Sequence, residues 1–116
     1  MGSRQMAAEL GFGTTDQALI ATAVSELARN IIRYAGAGKV RLEKVSSGRR
    51  VGITVTASDH GPGIADLDQA MKDGFSSSGG LGLGLPGTRR LMDEFRVETG
   101  HEGTRVTTTK YRAGLG

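Results

Sequence analysis

The sequence predicts a single α/β domain, and three observations predict it. From Thr14 to the glycines at 36 and 38, apolar residues recur at helical spacing. Two stretches, 40–57 and 95–111, alternate apolar and polar residues on either side of turn-forming clusters, as hairpins do. Between them, Gly79-Gly80-Leu81-Gly82-Leu83-Gly84-Leu85-Pro86-Gly87 places five glycines in nine residues, just ahead of a second helical pattern. The chain has 116 residues, enough to bury a core. An apolar share of 37% with only two prolines opposes disorder.

Taken in order, 4–10 reads as a short helix stopped by Gly11, with a turn at Phe12-Gly13. Thr14 opens the long helix, and Gln17 three residues on completes the pattern of a capping box. Ile20, Val24, Leu27 and Ile31 form one stripe, widened by Ala23, Ala28 and Ala35. Glu26 and Asn30 lie one turn apart on the flank of that stripe, while Arg29 and Arg33 lie on the far side. Strands follow at 40–45 and 51–57, joined by a turn at Ser46-Ser47-Gly48. The second alternates cleanly. In the first, Val40 and Leu42 are out of phase with Val45, which a bulge would repair. Ser58 to Gly63 breaks the strand, 65–72 reads as a short helix, and 73–80 reads as a mobile Gly/Ser-rich segment. The glycine loop then feeds a helix from Leu85 to Phe95, and 95–99 with 104–111 form a closing hairpin around Gly100-His101-Glu102-Gly103.

Composition excludes several function classes. There is no cysteine, so disulfides and thiolate metal sites are out. No apolar run approaches the ~20 residues that span a bilayer, and no signal peptide is visible. A cytoplasmic protein fits. The net charge of +3 is spread out, and aromatics make up 4% of the chain, so no basic stripe with stacking residues points to nucleic acid. An anionic small ligand or an acidic partner explains the charge as well. His60 and His101 fall in turns with no metal-ligand spacing and read as solvent-exposed.

Three motifs carry chemistry. The first is Glu26-x-x-x-Asn30: a carboxylate can take a proton, and a carboxamide oxygen can ligate Mg2+ without adding charge. For an isolated example the better explanation is ordinary: Glu26 pairs with Arg29 or Arg33, and Asn30 is a helix-surface polar residue. The second is Asp59-x-Gly61-x-Gly63 after a strand. Its carboxylate can accept from an exocyclic amine such as adenine N6, and its glycines let backbone approach the base. A plain strand-to-helix turn favours the same residues. The third is Gly80-x-Gly82-x-Gly84, whose amides and following helix N-terminus suit a phosphate. Gly82-x-Gly84-x-x-Gly87 formally matches a dinucleotide fingerprint, but 75–79 is no strand, and no Walker A loop occurs.

In this order and at these spacings the chain resembles the GHKL (Bergerat-fold) ATP-binding family of gyrase, heat-shock chaperones, histidine kinases and MutL. Glu26 and Asn30 match its N box, Asp59, Gly61 and Gly63 its first glycine box, and Gly80, Gly82 and Gly84 its second. Gly103-Thr104 resembles the later Gly-Thr element near the adenine. More narrowly, Glu26-Leu27-Ala28-Arg29-Asn30, Tyr34 to Gly38, and Gly82 to Gly87 with Arg89 to Phe95 look like the RsbT-type switch kinases of stressosomes. SpoIIAB and RsbW anti-sigma kinases are more distant. The resemblance implies an α+β two-layer sandwich, a mixed β-sheet with helices packed on one face. It also implies one more N-terminal strand and more of the first helix than this chain has.

The resemblance further implies a protein serine/threonine kinase acting on STAS-domain proteins of the RsbS and RsbR type, with an RsbU-like phosphatase as a second partner. ATP and Mg2+ are the implied cofactors. Glu26 is then the catalytic carboxylate and Asn30 the Mg2+ ligand. The ATP-binding residues are Asn30, Asp59, Gly61, Gly63, Gly80, Leu81, Gly82, Leu83, Gly84 and Thr104. The 73–80 segment is the implied ATP lid, and Arg89 or Arg90 could reach the phosphates. Nucleic acid and membrane are not implied. The alternative is an anti-sigma or phosphatase-binding regulator whose nucleotide only sets its conformation. A stand-alone ATPase is weaker still, and a histidine kinase lacks its phosphoacceptor helices here.

Overall fold

The computed structural model describes residues 2–67, 71 and 84–112. Among the described residues, three helices, α1 (Ser3–Glu9), α2 (Thr14–Ala35) and α3 (Gly84–Leu91), accompany four strands, β1 (Gly38–Ser47), β2 (Arg50–Asp59), β3 (Glu94–Gly100) and β4 (Gly103–Tyr111).

The apolar stripe places α2. Ile20, Ala23, Leu27 and Ile31 are buried, and Val24 packs at the margin. Gly36 ends the helix, its N–H donating to the carbonyls of Ile31 and Ile32. The expected capping box does not form. Thr14 is already helical, Gly13 occupies the cap position without a side chain to offer, and Gln17 Nε2 donates to Phe12 O at 2.9 Å. Phe12 is itself buried beside Ala7, so the joint between α1 and α2 is part of the core.

The sheet runs β1-β2-β4-β3, and every neighbouring pair is antiparallel. A mixed sheet was the expectation. The chain does leave β2, pass through α3 and enter β3 in the same direction as β2. However, β4 returns between them, so no adjacent pair of described strands is parallel. The expected bulge in β1 is also absent. Pairing is continuous from Gly38↔Asp59 to Ser47↔Arg50, with the two-residue turn Gly48-Arg49. Gly48 has φ 61° and Arg49 has no positive φ, the pattern of a type II′ hairpin. Val45 therefore lies on the opposite face from Val40 and Leu42, across from Gly52, and needs no repair.

One sheet face is covered by the helices. Ile53, Val55, Ala57 and Val106 pack against Ile20, Leu27, Leu85 and Met92 as one cluster. Two core-facing threonines are satisfied by backbone: Thr88 Oγ1 donates to Gly84 O at 2.8 Å and Thr108 Oγ1 to Glu94 O at 2.6 Å. The other face carries polar residues, with Thr54 and Thr109 hydroxyls paired at 2.8 Å and the Arg50 guanidinium 3.6 Å from the Tyr111 ring centre.

Several sequence boundaries move. β1 runs from Gly38 to Ser47, so Ser46 and Ser47 are strand instead of turn, β2 runs on to Asp59 instead of breaking at Ser58, and α3 stops at Leu91 instead of Phe95. Phe95 and Val97 alternate inward on β3, and pairing with β4 overrides the helical spacing. Half of the expected 65–72 helix, residues 68–70 and 72, lies outside the described residues; Leu67 is helical, and Met71 N–H donates to Leu67 O at 2.9 Å. The 73–80 segment lies wholly outside them.

Candidate functional site

The sequence motifs gather along α2 at two places. The first is at its C-terminal end. Asp59, the last residue of β2, points to the helix-covered face and is 7% exposed. Its Oδ1 accepts two backbone amides, from Gly61 at 3.0 Å and Thr104 at 3.2 Å. Among the described residues nothing donates to Oδ2, and that oxygen is not sealed from solvent. A carboxylate held this way is fixed in direction with one acceptor to spare.

Glycines make the close packing around it possible. A Cβ on Gly61 would sit 2.5 Å from the Ala35 Cβ, and one on Gly63 would strike Gly100 O. Gly63 also has φ 85°, a conformation side chains resist. The 59–64 loop is thus clamped between the end of α2 and the β3–β4 hairpin. The sequence suggested that these glycines bring backbone close to a base, and the approach seen is to protein. Ile64 N–H donates to Thr99 Oγ1 at 2.8 Å, and the Thr99 and Thr104 hydroxyls lie 2.8 Å apart. A cavity of about 1200 Å³ opens here, lined by Ala35, Asp59, Gly61, Thr99, Gly103 and Thr104 among others. His60 and His101 are exposed, as expected, and stand at the same cavity.

The second place is about 13 Å back along the axis of α2. Glu26 is nearly buried. Its Oε1 accepts from Arg29 Nη1 at 3.1 Å, the ordinary ion pair anticipated for this spacing. Its Oε2 accepts the Gly84 N–H at 3.3 Å, at the first residue of α3. The carboxylate therefore sits where a helix N-terminus favours negative charge. Asn30, one turn on, is half-buried. Gly80, Leu81, Gly82 and Leu83 lie outside the described residues. Arg89 and Arg90 are exposed in the last turn of α3, the end away from Gly84.

The structure thus brings Asp59, Gly61 and Thr104 to one cavity and Glu26 to Gly84. Among the described residues, Glu26, Asn30 and Gly84 do not line that cavity. Sequence reading missed Thr99 and Ala35. Thr99 was findable in principle, because a hairpin centred on His101-Glu102 pairs it with Thr104.

These residues fit a nucleotide. A directed acceptor in a roomy cavity suits a base, and an anion-favouring helix end lies a triphosphate's reach away. No group of three or more His, Cys, Asp or Glu able to cage a metal exists among the described residues. Asn30 has one carboxamide oxygen of the kind a divalent cation can take as a ligand.

A fold and site of this kind define a nucleotide-using ATPase or kinase domain, and the comparisons agree. The family of histidine kinase-like ATPase domains matches residues 2–110, and the chain belongs to it. Within the family it is 54% identical over 109 residues to the serine/threonine-protein kinase RsbT of Bacillus subtilis, covering 93% of this chain and 82% of that protein. It is 35% identical to the anti-sigma F factor of a Thermoanaerobacter species, over 90% of this chain and 77% of that one. Among solved structures, the histidine kinase AdeS of Acinetobacter baumannii aligns with TM-score 0.60 and 22% identity over 84% of this chain. A blue-light activated histidine kinase from Erythrobacter litoralis aligns with TM-score 0.55 and 25% identity over 82%. The chain spans about half of each of those two proteins, and the likeness to AdeS speaks for fold alone. The enzyme class supported is a protein kinase. No described helix is long and apolar enough to cross a membrane.

Proposed function

We propose that this chain, as a single domain, transfers the terminal phosphoryl group of Mg·ATP to a serine or threonine hydroxyl on a STAS-domain protein of the RsbS or RsbR type, in the cytoplasm. The observation that carries the reading is the pairing along α2 of a directed acceptor at Asp59 with a carboxylate at the α3 N-terminus. The strength of the likeness to a serine/threonine kinase supports it. Asp59 Oδ2 would accept from the adenine amine, with Gly61, Gly63 and Thr104 shaping the base end. Gly84 and the preceding Gly80, Leu81, Gly82 and Leu83 would meet phosphate oxygens. Asn30 would offer its carboxamide oxygen to Mg2+, which draws charge off the phosphates when bound. Glu26 would orient the incoming hydroxyl and take its proton as the hydroxyl oxygen bonds to phosphorus and ADP leaves. Phosphoryl transfer depends chiefly on positioning and charge stabilisation, so a sparse set of groups suffices. An RsbU-like phosphatase is proposed as a second partner.

The test is transfer of label from Mg·ATP to such a STAS protein, with Glu26→Ala as control. Wild type should label the partner, and the variant should bind ATP yet lose at least about a hundredfold in transfer rate. ATP binding without any transfer would favour the second reading, a regulator that uses nucleotide only to set its conformation. The more distant anti-sigma F likeness would fit that outcome.

A further inference from the structure

We infer that the outward flank of α2, with Ile32 as apolar anchor and Arg29 and Arg33 beside it, is the surface on which the protein substrate docks, and that the matching surface is an apolar pocket bordered by carboxylates. The inference rests on the phosphoryl transfer proposed above. Among the described residues, Ile32 is the exposed large apolar side chain, 68% accessible. A single exposed isoleucine is ordinary on a protein surface. The position of this one sets it apart. At 3.6 residues per turn, Ile32 lies about 120° around α2 from Glu26 and about 9 Å further along it. Arg29 and Arg33 fall between the two around the axis, and both are exposed. The Arg33 guanidinium is braced over the Tyr34 ring, 5.6 Å from its centre. One strip of helix surface thus joins an apolar knob, two guanidinium groups and the carboxylate assigned to the incoming hydroxyl. From Ser25 to Gly36 the acidic residue is Glu26 alone, and its Oε1 is on Arg29, so the strip is cationic.

The route to Glu26 points to the same surface. Its Oε2 faces the Gly84 amide, on the side where α3 packs against α2. Its Oε1 faces Arg29, whose side chain is half-exposed. A hydroxyl borne on a folded protein arrives with the surface around it. Among the described residues, the exposed surface contiguous with Oε1 is this strip. Interface hot spots favour arginines and well-packed anchors at the centre of a desolvated patch. Complementary charges around the anchor steer the encounter and reject wrong partners. A partner carboxylate on Arg29 also competes with Glu26 Oε1 for the guanidinium. Docking therefore loosens the ion pair as the hydroxyl arrives.

The experiment follows label from Mg·ATP at varied concentrations of the STAS-domain partner, with ATP affinity by calorimetry and thermal unfolding alongside. Ile32→Glu and Arg33→Glu should each raise the KM for the partner by about tenfold or more, the scale of a hot-spot side chain, and leave ATP affinity and Tm as in wild type. Ile32→Leu should match wild type. Arg96→Glu reverses a charge on the helix-free face of the sheet, where the side chain is 75% exposed, and should leave KM unchanged. A KM that Ile32→Glu leaves unchanged overturns the inference while the transfer reading stands. An equal loss of ATP affinity with a lower Tm marks a structural role and does the same, as does an equal rise in Arg96→Glu. A rise in Ile32→Glu without one in Arg33→Glu overturns the carboxylate border. Where the glutamate variant does not fold, Ile32→Ala is read in its place. Wild type that transfers no label overturns the transfer reading, and titration of the partner into wild type and Ile32→Glu then decides the docking. Binding lost in the variant supports the surface, and binding kept by it, or absent from both, overturns it.

Discussion

The two ends of the site are built on different terms. At the Asp59 end, one carboxylate oxygen holds two backbone amides, two hydroxyls are paired, and glycines let three segments close to contact distance. At the Glu26 end, the carboxylate meets a half-exposed arginine and one amide at 3.3 Å. The first arrangement is over-determined, since moving any member disturbs several others. The second includes a contact to a flexible, half-exposed side chain. A base-recognition pocket gains from rigidity, because directed acceptors discriminate only while they stay directed.

Substitutions can break this contrast, and the largest effect is expected at Asp59. Asp59→Asn replaces a charged acceptor of two amides by a neutral amide group. Hydrogen bonds to charged groups contribute about 1.5–3 kcal/mol, so ATP affinity should fall by ~10- to 150-fold in a titration. Unchanged affinity would remove Asp59 from base binding. Gly63→Ala attacks the same end through the backbone. A β-carbon at φ 85° that also strikes Gly100 O should lower stability by roughly 1–3 kcal/mol in denaturant unfolding. A variant as stable as wild type would show the loop is not clamped. Arg29→Ala tests the looser end. The Arg29 side chain is 53% exposed and its pair is an i,i+3 helix pair, so the stability change should stay below about 0.5 kcal/mol. A loss above 1 kcal/mol in the same assay would mean that Glu26 is anchored as firmly as Asp59.

The rigid end was also the harder one to read from sequence. The stripe of Ile20, Leu27 and Ile31 announced α2, and the clean alternation of 51–57 announced β2, because local periodicity and burial agree there. The hairpin around His101-Glu102 was equally legible. Thr14 and Gln17 carried the letters of a capping box, yet Gly13 took the cap and Gln17 turned back to Phe12 O. Phe95 continued a helical spacing, and only its partner Thr108 across the sheet shows why it is strand. At the site, residue types flagged Glu26, Asn30 and Asp59 as chemical. They could not show that Gly61 and Gly63 are demanded by Ala35 and Gly100, or that Thr99 stands behind Thr104. Those are contacts between distant segments, and composition leaves no trace of them.

The contact between Glu26 Oε2 and the Gly84 amide has a consequence for ligand exchange. An anion that takes that amide must displace a carboxylate tethered to the same scaffold. A tethered group competes at an effective concentration on the millimolar scale or above, whatever the bulk composition. The amide at the start of α3 then has an anionic acceptor before a ligand arrives and again once it leaves. The resident carboxylate subtracts from the affinity of every incoming anion, because it stabilises the site before that anion arrives.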